Sequence, residues 1–255
     1  MEKKLIALGD IHGRDFWKES INHTDIPIVF IGDYLDPYEA NEGITSAEAI
    51  DNFKEILDFA RNNENVILLY GNHDSYAFRN TTLCSCRHDW HRYDEICGIY
   101  EDNKDLFRFA YNYEIAGKHF LFTHAGIVPG WISLRGELAF GENFDYTADK
   151  LNNPICDMRH YINILSDVSG YRGGIESVGS FLWADINEHF RTNVYKEGIP
   201  DNLVQVFGHS LLKEAIHSKR DYELYCIDCK RAVCLYDDGI IRYLADDSEI
   251  KEIKY

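Results

Sequence analysis

Five small polar clusters, each at the end of a short apolar run, carry the residues of this chain that could do chemistry. Leu5–Leu8 leads to Gly9-Asp10-Ile11-His12-Gly13, and Ile28–Ile31 leads to Gly32-Asp33-Tyr34-Leu35-Asp36. Val66–Tyr70 leads to Gly71-Asn72-His73-Asp74, Phe120–Phe122 to Thr123-His124-Ala125-Gly126, and Val204–Phe207 to Gly208-His209-Ser210. Any one of these is unremarkable, since a Gly-Asp after a strand is usually a turn and a lone His is usually a satisfied surface or core residue. Together they offer oxygen and nitrogen donors of the hard-to-borderline kind that suits divalent first-row metals. No Cys lies among them, which argues against a structural zinc site. A carboxylate placed centrally among such donors can bridge two ions, and two ions can clamp both oxygens of an in-line phosphoryl displacement.

The elements that must position these clusters are legible in outline. Continuous apolar runs of this length suit strands buried on both faces, and their C-terminal ends are where open α/β sheets place ligands. The first, third and fourth runs are expected to be successive sheet strands joined by crossovers. Between the second and third runs a helix is predicted from roughly Ser46 to Asn62. Thr45 with Glu48 makes a capping box there, and Ile50, Phe53, Ile56, Leu57 and Ala60 share one face. A second helix is expected within Asp149–Leu165, where Ile155, Met158, Tyr161, Ile162 and Leu165 recur at helical spacing. Toward the end of the chain Glu223–Ile227, Ala232–Tyr236 and Ile240–Leu244 read as antiparallel strands, the last two joined at Asp237-Asp238-Gly239. With no internal repeat, linker or compositional break, residues 1–255 read as one α/β domain containing more than one sheet.

Composition narrows the function classes. The 255 residues carry 43 Asp+Glu against 26 Lys+Arg, a formal charge of -17, with 45% hydrophobic residues. That excludes a disordered chain. It disfavours a sequence-independent grip on an extended nucleic acid, which needs Lys/Arg neutralisation of phosphates, and docking on an anionic membrane. No apolar stretch reaches the ~18 residues of a membrane helix. The run Leu5–Leu8 is too short for a signal-peptide core, so a cytoplasmic location is expected. Seven cysteines, an odd number, fit reduced thiols better than a disulfide framework.

The five clusters, in this order, resemble the motifs of the calcineurin-like metallophosphoesterases. They are most similar to the phosphoprotein phosphatase branch (serine/threonine phosphatase-like), especially its bacterial and phage members. Gly208-His209-Ser210 lacks the second His of the Gly-His-X-His ending found in many phosphodiesterase branches. Phe181-Leu182-Trp183-Ala184-Asp185 also resembles a Leu-Leu-Trp-Ser-Asp segment of the phosphatase branch. The resemblance spans residue 5 to about residue 244. It implies two mixed β-sheets packed as a sandwich flanked by helices, with a dinuclear site at the strand C-terminal ends. It also implies that Asp10 and His12 hold a first metal, that Asp33 bridges, and that Asn72, His124 and His209 hold a second. His73, oriented by Asp36, would then protonate the leaving oxygen, and a metal-bridging hydroxide would be the nucleophile. The implied cofactors are two divalent ions, Mn²⁺ foremost, with Fe, Zn or Ni as alternatives. Asp74 reads either as a turn residue or as a hydrogen-bonding support for a ligand.

One departure concerns the substrate. The phosphatase motif usually continues Gly-Asp-X-X-Asp-Arg-Gly, and its Arg grips phosphate in a bidentate fork. Here the chain runs Asp36-Pro37-Tyr38. Another Arg is expected to substitute, either Arg191, shortly after Phe181–Asp185, or Arg172 in Gly170-Tyr171-Arg172-Gly173-Gly174. Residues 79–97 contain Cys84, Cys86, His88, His91 and Cys97, but their spacing matches no standard zinc pattern. With Trp90, Tyr93 and Tyr100 they read instead as part of a cap inserted at about residues 75–105, beside the site. Cys226 and Cys229 have redox-motif spacing but lie in a strand pattern that sends them to opposite faces, as buried thiols. His23, His119, His160, His189 and His217 receive no role.

The leading expectation is hydrolysis of phosphate monoesters, on a phosphoprotein or a small phosphorylated molecule. A phosphodiesterase or nucleotide pyrophosphohydrolase using the same centre is the alternative: the missing Arg favours it, and the single His in Gly208-His209-Ser210 disfavours it. A phosphatase-like binding module is a third reading, opposed by the intact donor set. Two dications would make the acidic pocket locally positive, so the overall charge counts against an extended polyanion more than against a compact phosphate ester.

Overall fold

In the computed structural model, which describes residues 1–79, 81–83, 87–191 and 198–253, the apolar runs form two sheets. The first has the order β11-β10-β1-β2-β3-β4, built from β1 (Lys3–Leu8), β2 (Ile28–Phe30), β3 (Val66–Leu69), β4 (Phe107–Arg108), β10 (Val233–Tyr236) and β11 (Ile241–Tyr243). Strands β1 to β4 are parallel, while β10 runs antiparallel to β1, and β11 to β10. The second sheet has the order β5-β6-β7-β9-β8, from β5 (Tyr111–Ile115), β6 (Lys118–Phe122), β7 (Leu203–Phe207), β8 (Ile216–Ser218) and β9 (Glu223–Cys226). Its centre, β6-β7-β9, is parallel and its two edges are antiparallel. Both sheets are therefore mixed, as the resemblance implied.

The alternation of side chains along the strands explains the layers. Leu5, Ala7, Val29, Ile31, Ile67 and Leu69 from the first sheet share a buried cluster with Phe120, Phe122, Val204, Val206 and Tyr225 from the second. Alternate residues Ile6, Leu8, Ile28, Phe30, Val66 and Leu68 point the other way, into a cluster with Ile50, Phe53, Ile56 and Leu57. Strands β1, β2 and β3 thus bury both faces, which is why their runs are continuously apolar. The helix Ser46–Asn62 supplies the outer cover. Its capping box is present, with the Thr45 side chain accepting from the Glu48 N–H and Glu48 from the Thr45 N–H.

Three expectations are corrected. The first, second and third runs, not the first, third and fourth, are the adjacent parallel strands β1-β2-β3, and the fourth run (β6) lies in the other sheet beside β7. The length of chain between runs permits either sheet, so tertiary pairing decides. The helix expected within Asp149–Leu165 is two helices, Ala148–Asn152 and Met158–Leu165. Pro154 has no N–H and pushes the preceding residue out of the helical region; Asn153 has φ -123 and ψ 68. Ile155 and Met158 are accordingly exposed, not on an apolar face. Finally, β10 and β11 form the expected hairpin, but β9 belongs to the second sheet, antiparallel only to β8.

Between residues 73 and 106 lie a short 3₁₀ turn, His73–Ala77, the helix Tyr93–Asp102 and a second turn, Lys104–Leu106. Tyr100 packs from this helix onto Phe53, ring centroids 4.9 Å apart. Cys84 and Cys86 lie outside the described residues. Cys226 and Cys229 are buried in different clusters, on the outer and inner sides of the second sheet. Burial pushes the Cys229 thiol up to about 11, which leaves it unreactive. No helix among the described residues is long and apolar enough to cross a membrane.

Candidate metal centre

The parallel strands β1, β2 and β3 end at one edge of the first sheet, so the turns after them deliver Asp10, His12, Asp33, Asp36, Asn72 and His73 to one place. Strands β6 and β7 end alongside and add His124 and His209. Several of these turns are tight enough to force left-handed backbone on side chains that rarely adopt it: His12, Asp33, Asp36 and His209 have φ of 45°, 55°, 57° and 63°. Such conformations persist only where surrounding contacts over-determine them. Two glycines leave the room. A Cβ on Gly71 would stand 2.2 Å from Asp33 Oδ1, and one on Gly208 would stand 2.3 Å from Asp10 Oδ1.

The proton positions of the imidazoles follow from their partners. His12 Nδ1 lies 2.7 Å from the Leu35 carbonyl oxygen and His124 Nδ1 lies 2.9 Å from that of Ile31. A carbonyl only accepts, so both Nδ1 atoms carry the proton and both Nε2 atoms present lone pairs. Those lone pairs face other acceptors. His12 Nε2 is 3.5 Å from Asp33 Oδ2 and 3.9 Å from Asp10 Oδ2. His124 Nε2 is 3.5 Å from Asp33 Oδ2, 2.9 Å from Asn72 Oδ1 and 3.1 Å from His209 Nδ1. The other carboxylate oxygens are occupied: Asp33 Oδ1 accepts the His73 N–H at 2.8 Å and Asp10 Oδ1 accepts the His209 N–H at 2.8 Å.

Lone pairs converging in a buried space repel one another unless a cation sits between them. The ionisation behaviour agrees. Burial, then the neighbouring Asp10, pushes the Asp33 carboxyl well above the usual range. Burial, then His73, pushes His12 well below its ordinary value, and burial, then Arg172, does the same to His209. His209 turns Nδ1 to the cluster, 3.1 Å from His124 Nε2, while its buried Nε2 has no hydrogen-bond partner among the described residues. Among the described residues, two groups of His and Asp donors lie close enough to hold an ion: His12, Asp33 and His73, and Asp33, His124 and His209. Asp33 is common to both. This set of oxygens and nitrogens fits divalent first-row cations.

Beside these donors, His73 Nδ1 lies 2.7 Å from Asp36 Oδ2. The carboxylate accepts, so the ring turns Nε2 away from Asp36. Asp36 Oδ1 accepts from the Tyr76 hydroxyl at 2.7 Å, and the Tyr76 hydroxyl oxygen in turn accepts the Asp89 N–H at 2.6 Å. Burial, then the charge of Arg87, holds His73 well below its ordinary value. Asp74, either a turn residue or a support on sequence grounds, accepts the N–H groups of Gly71, Asp33 and Tyr34 and the hydroxyl of Tyr100.

The two arginines expected at the phosphate fare differently. Arg172 reaches the cluster, where its Nη2 donates to the His209 carbonyl at 3.2 Å and to Ser210 Oγ at 2.7 Å, and its Nε forms an ion pair with Asp185 at 2.8 Å. That arrangement holds the His209 turn. Arg191 lies over the Tyr171 ring, 5.8 Å from its centroid, and lines a cavity with Val128, Glu188 and Ser177, none of them in the cluster. Arg87, which sequence reasoning did not single out, also stands against the cluster. Its Nη2 is 3.4 Å from His73 Nε2 and 3.5 Å from His12 Nδ1, and its guanidinium lies over the Tyr38 ring, 3.7 Å from the centroid. Nothing in the spacing of residues 79–97 marks it.

This is the metallophosphoesterase α/β fold, with two mixed sheets and a His/Asp cluster at their strand ends. The family model of the calcineurin-like phosphoesterases matches residues 3–213, and the chain belongs to that family, whose members are metal-dependent phosphoester hydrolases. No curated protein matches the sequence. Among solved structures, the chain is similar to one described as a novel archaeal phosphodiesterase, with 11% identity and a TM-score of 0.34, over 94% of this chain and 98% of that one. A likeness that distant carries no argument about substrate.

Proposed function

We propose that this protein hydrolyses phosphate monoesters at a dinuclear centre of the serine/threonine phosphatase-like kind, with Asp10, His12, Asp33, Asn72, His124 and His209 as ligands. The observation that carries the reading is the pair His12 and His124, whose Nε2 lone pairs converge on one oxygen of Asp33. Two divalent cations, Mn²⁺ foremost, would supply Lewis acidity and lower the pKa of water there.

The rest falls to the chain. Backbone N–H groups of His73 and His209 fix the outer oxygens of Asp33 and Asp10, so the inner oxygens keep their aim. Water that has lost one proton to solvent bonds through its oxygen to phosphorus, the ester P–O bond breaks with its electron pair on the departing oxygen, and His73 gives that oxygen a proton from Nε2. Asp36 stabilises the imidazolium form that must precede this transfer. The substrate is a compact phosphorylated protein segment or small molecule, met in the cytoplasm and not on a membrane or extended nucleic acid. A diesterase or nucleotide pyrophosphohydrolase is the second reading, favoured by Pro37 in the place of the usual Arg.

Purified protein loaded with Mn²⁺ is expected to release p-nitrophenol from p-nitrophenyl phosphate faster than from bis(p-nitrophenyl) phosphate. Inactivity on both with Mn²⁺, Fe²⁺, Zn²⁺ and Ni²⁺ would overturn the reading.

A further inference from the structure

In the second sheet each of the three parallel strands delivers a polar side chain at the second residue past its end. Strand β6 stops at Phe122 and gives His124, β7 stops at Phe207 and gives His209, and β9 stops at Cys226 and gives Asp228. Strand β9 lies beside β7 with Phe207 opposite Cys226, and the pairing runs on past the strands, the Ile227 N–H donating to the Phe207 carbonyl at 2.8 Å. Asp228 therefore leaves the same sheet edge as two of the proposed ligands. Against it packs the turn that carries Asp10: a Cβ on Gly9 would stand 2.8 Å from the Ile227 carbonyl oxygen and 3.0 Å from Asp228 Cα.

Asp228 is 3% exposed, and its buried Oδ1 has no hydrogen-bond partner among the described residues. Of the charges around it, that of Asp10 acts most strongly, followed by Arg14, Arg172 and Lys230. The three cations hold other acceptors. Arg14 binds Glu42 and the Asp10 carbonyl, Arg172 binds Ser210, Asp185 and the His209 carbonyl, and Lys230 binds Glu42. A buried carboxylate oxygen beside a second carboxylate, with no donor of its own, is a charge still to be compensated. Compensation is also owed in the other direction. Asp10 and Asp33 are the only carboxylates among the six proposed ligands, so two divalent cations would bring twice the charge those two return.

Resting on the dinuclear phosphoesterase reading above, we infer that Asp228 is a further acidic residue of the metal centre, which from outside the six ligands offsets charge on the Asp10 side and raises the affinity for the cation held there. Groups just beyond a metal's ligands commonly set its affinity over about 10–100-fold. A carboxylate kept for structure alone would behave differently. Without a cation Asp228 and Asp10 repel, and with one they act together.

The test is calorimetric titration of Mn²⁺ into EDTA-stripped protein, with melting of the metal-free protein alongside. Asp228→Asn, nearly the same shape without the charge, should weaken Mn²⁺ binding about tenfold or more, while the metal-free melting temperature holds or rises. In an Asp10→Asn background the same change should cost less than about threefold, which places the effect on the Asp10 side. Asp228→Ser carries the comparison where the Asn variant does not fold. Affinity within about threefold of wild type would overturn the inference, and so would a loss paired with a lower metal-free melting temperature in both variants. Binding needs no turnover, so the two readings fail separately. A wild type inactive on every phosphate ester, whose Mn²⁺ affinity still falls with Asp228→Asn, would overturn the phosphatase reading alone. An active wild type whose Mn²⁺ affinity ignores Asp228 would overturn this inference alone.

Discussion

Asp74 accepts the backbone N–H of Asp33 through Oδ2 at 2.8 Å. The same oxygen takes the Gly71 N–H at 2.6 Å, while Oδ1 takes the Tyr34 N–H and the Tyr100 hydroxyl. One buried carboxylate therefore ties the turn after β2 to the turn after β3, and so sets the distance between Asp33 and Asn72. Asp74→Asn replaces one acceptor oxygen by an NH₂ that meets donors. The expected cost is about 2–4 kcal/mol in urea unfolding of the metal-free protein, with metal affinity down about 10–100-fold by titration. An unchanged affinity would show that the turns hold their spacing without it.

Asp33→Asn should act in opposite directions with and without metal. In the metal-free protein the Asp33 carboxyl is driven up by burial and by Asp10, so a neutral amide relieves the strain and the melting temperature should hold or rise. The wild type should gain stability from Mn²⁺, about 2.7 kcal/mol at a hundredfold excess over Kd, and the variant should gain little. Melting curves with and without Mn²⁺ or EDTA check both halves.

His73→Asn should reveal a proton donor by its dependence on the leaving group. An alkyl phosphate needs its leaving oxygen protonated, so kcat should fall about 10²–10⁴-fold. A nitrophenolate leaves without help, and its rate should fall far less. Equal losses on both would assign His73 to binding or structure.

Stability should carry a pH signature from His189, which lies outside the reaction. Its Nε2 donates to the Ala125 carbonyl at 3.0 Å and its Nδ1 accepts from the Tyr222 hydroxyl at 2.6 Å, so the neutral ring is satisfied at both ends. Burial pulls its pKa down to about 4. The folded value is depressed, so the contribution is complete above the unfolded value near 6.5 and is lost as pH falls toward 4. It amounts to about 3 kcal/mol. Comparing unfolding free energies of wild type and His189→Gln from pH 7 to pH 4 should show the gap between them narrowing over that window.

The donor residues were readable because each follows an apolar run, and a run buried on both faces must end at the sheet edge where its next residues meet solvent and ligands. Helix Ser46–Asn62 was readable because its cap and apolar face are both local. Sheet membership was not, since β6 and β7 choose their partners through long-range packing that run length leaves open. The supports were also hidden: Tyr76 reaches Asp36 across 40 residues and Tyr100 reaches Asp74 across 26, and no periodicity announces a hydroxyl's partner. Arg87 sits in a stretch without strand or helix pattern, so no spacing signal drew attention to it.

The donors are divided between the sheets, four following β1 to β3 and two following β6 and β7, with His209 the last of them. A ribosome working at about 5–20 residues per second leaves Asp10 waiting on the order of 10–40 s for His209. During that interval the growing chain holds an acidic half-site that any passing cation could sample. The full set of proposed donors is assembled only after the second sheet closes against the first. Metal choice is then a decision of the finished fold and of the ion pool around it at that moment, and ions captured earlier must be held weakly enough to leave.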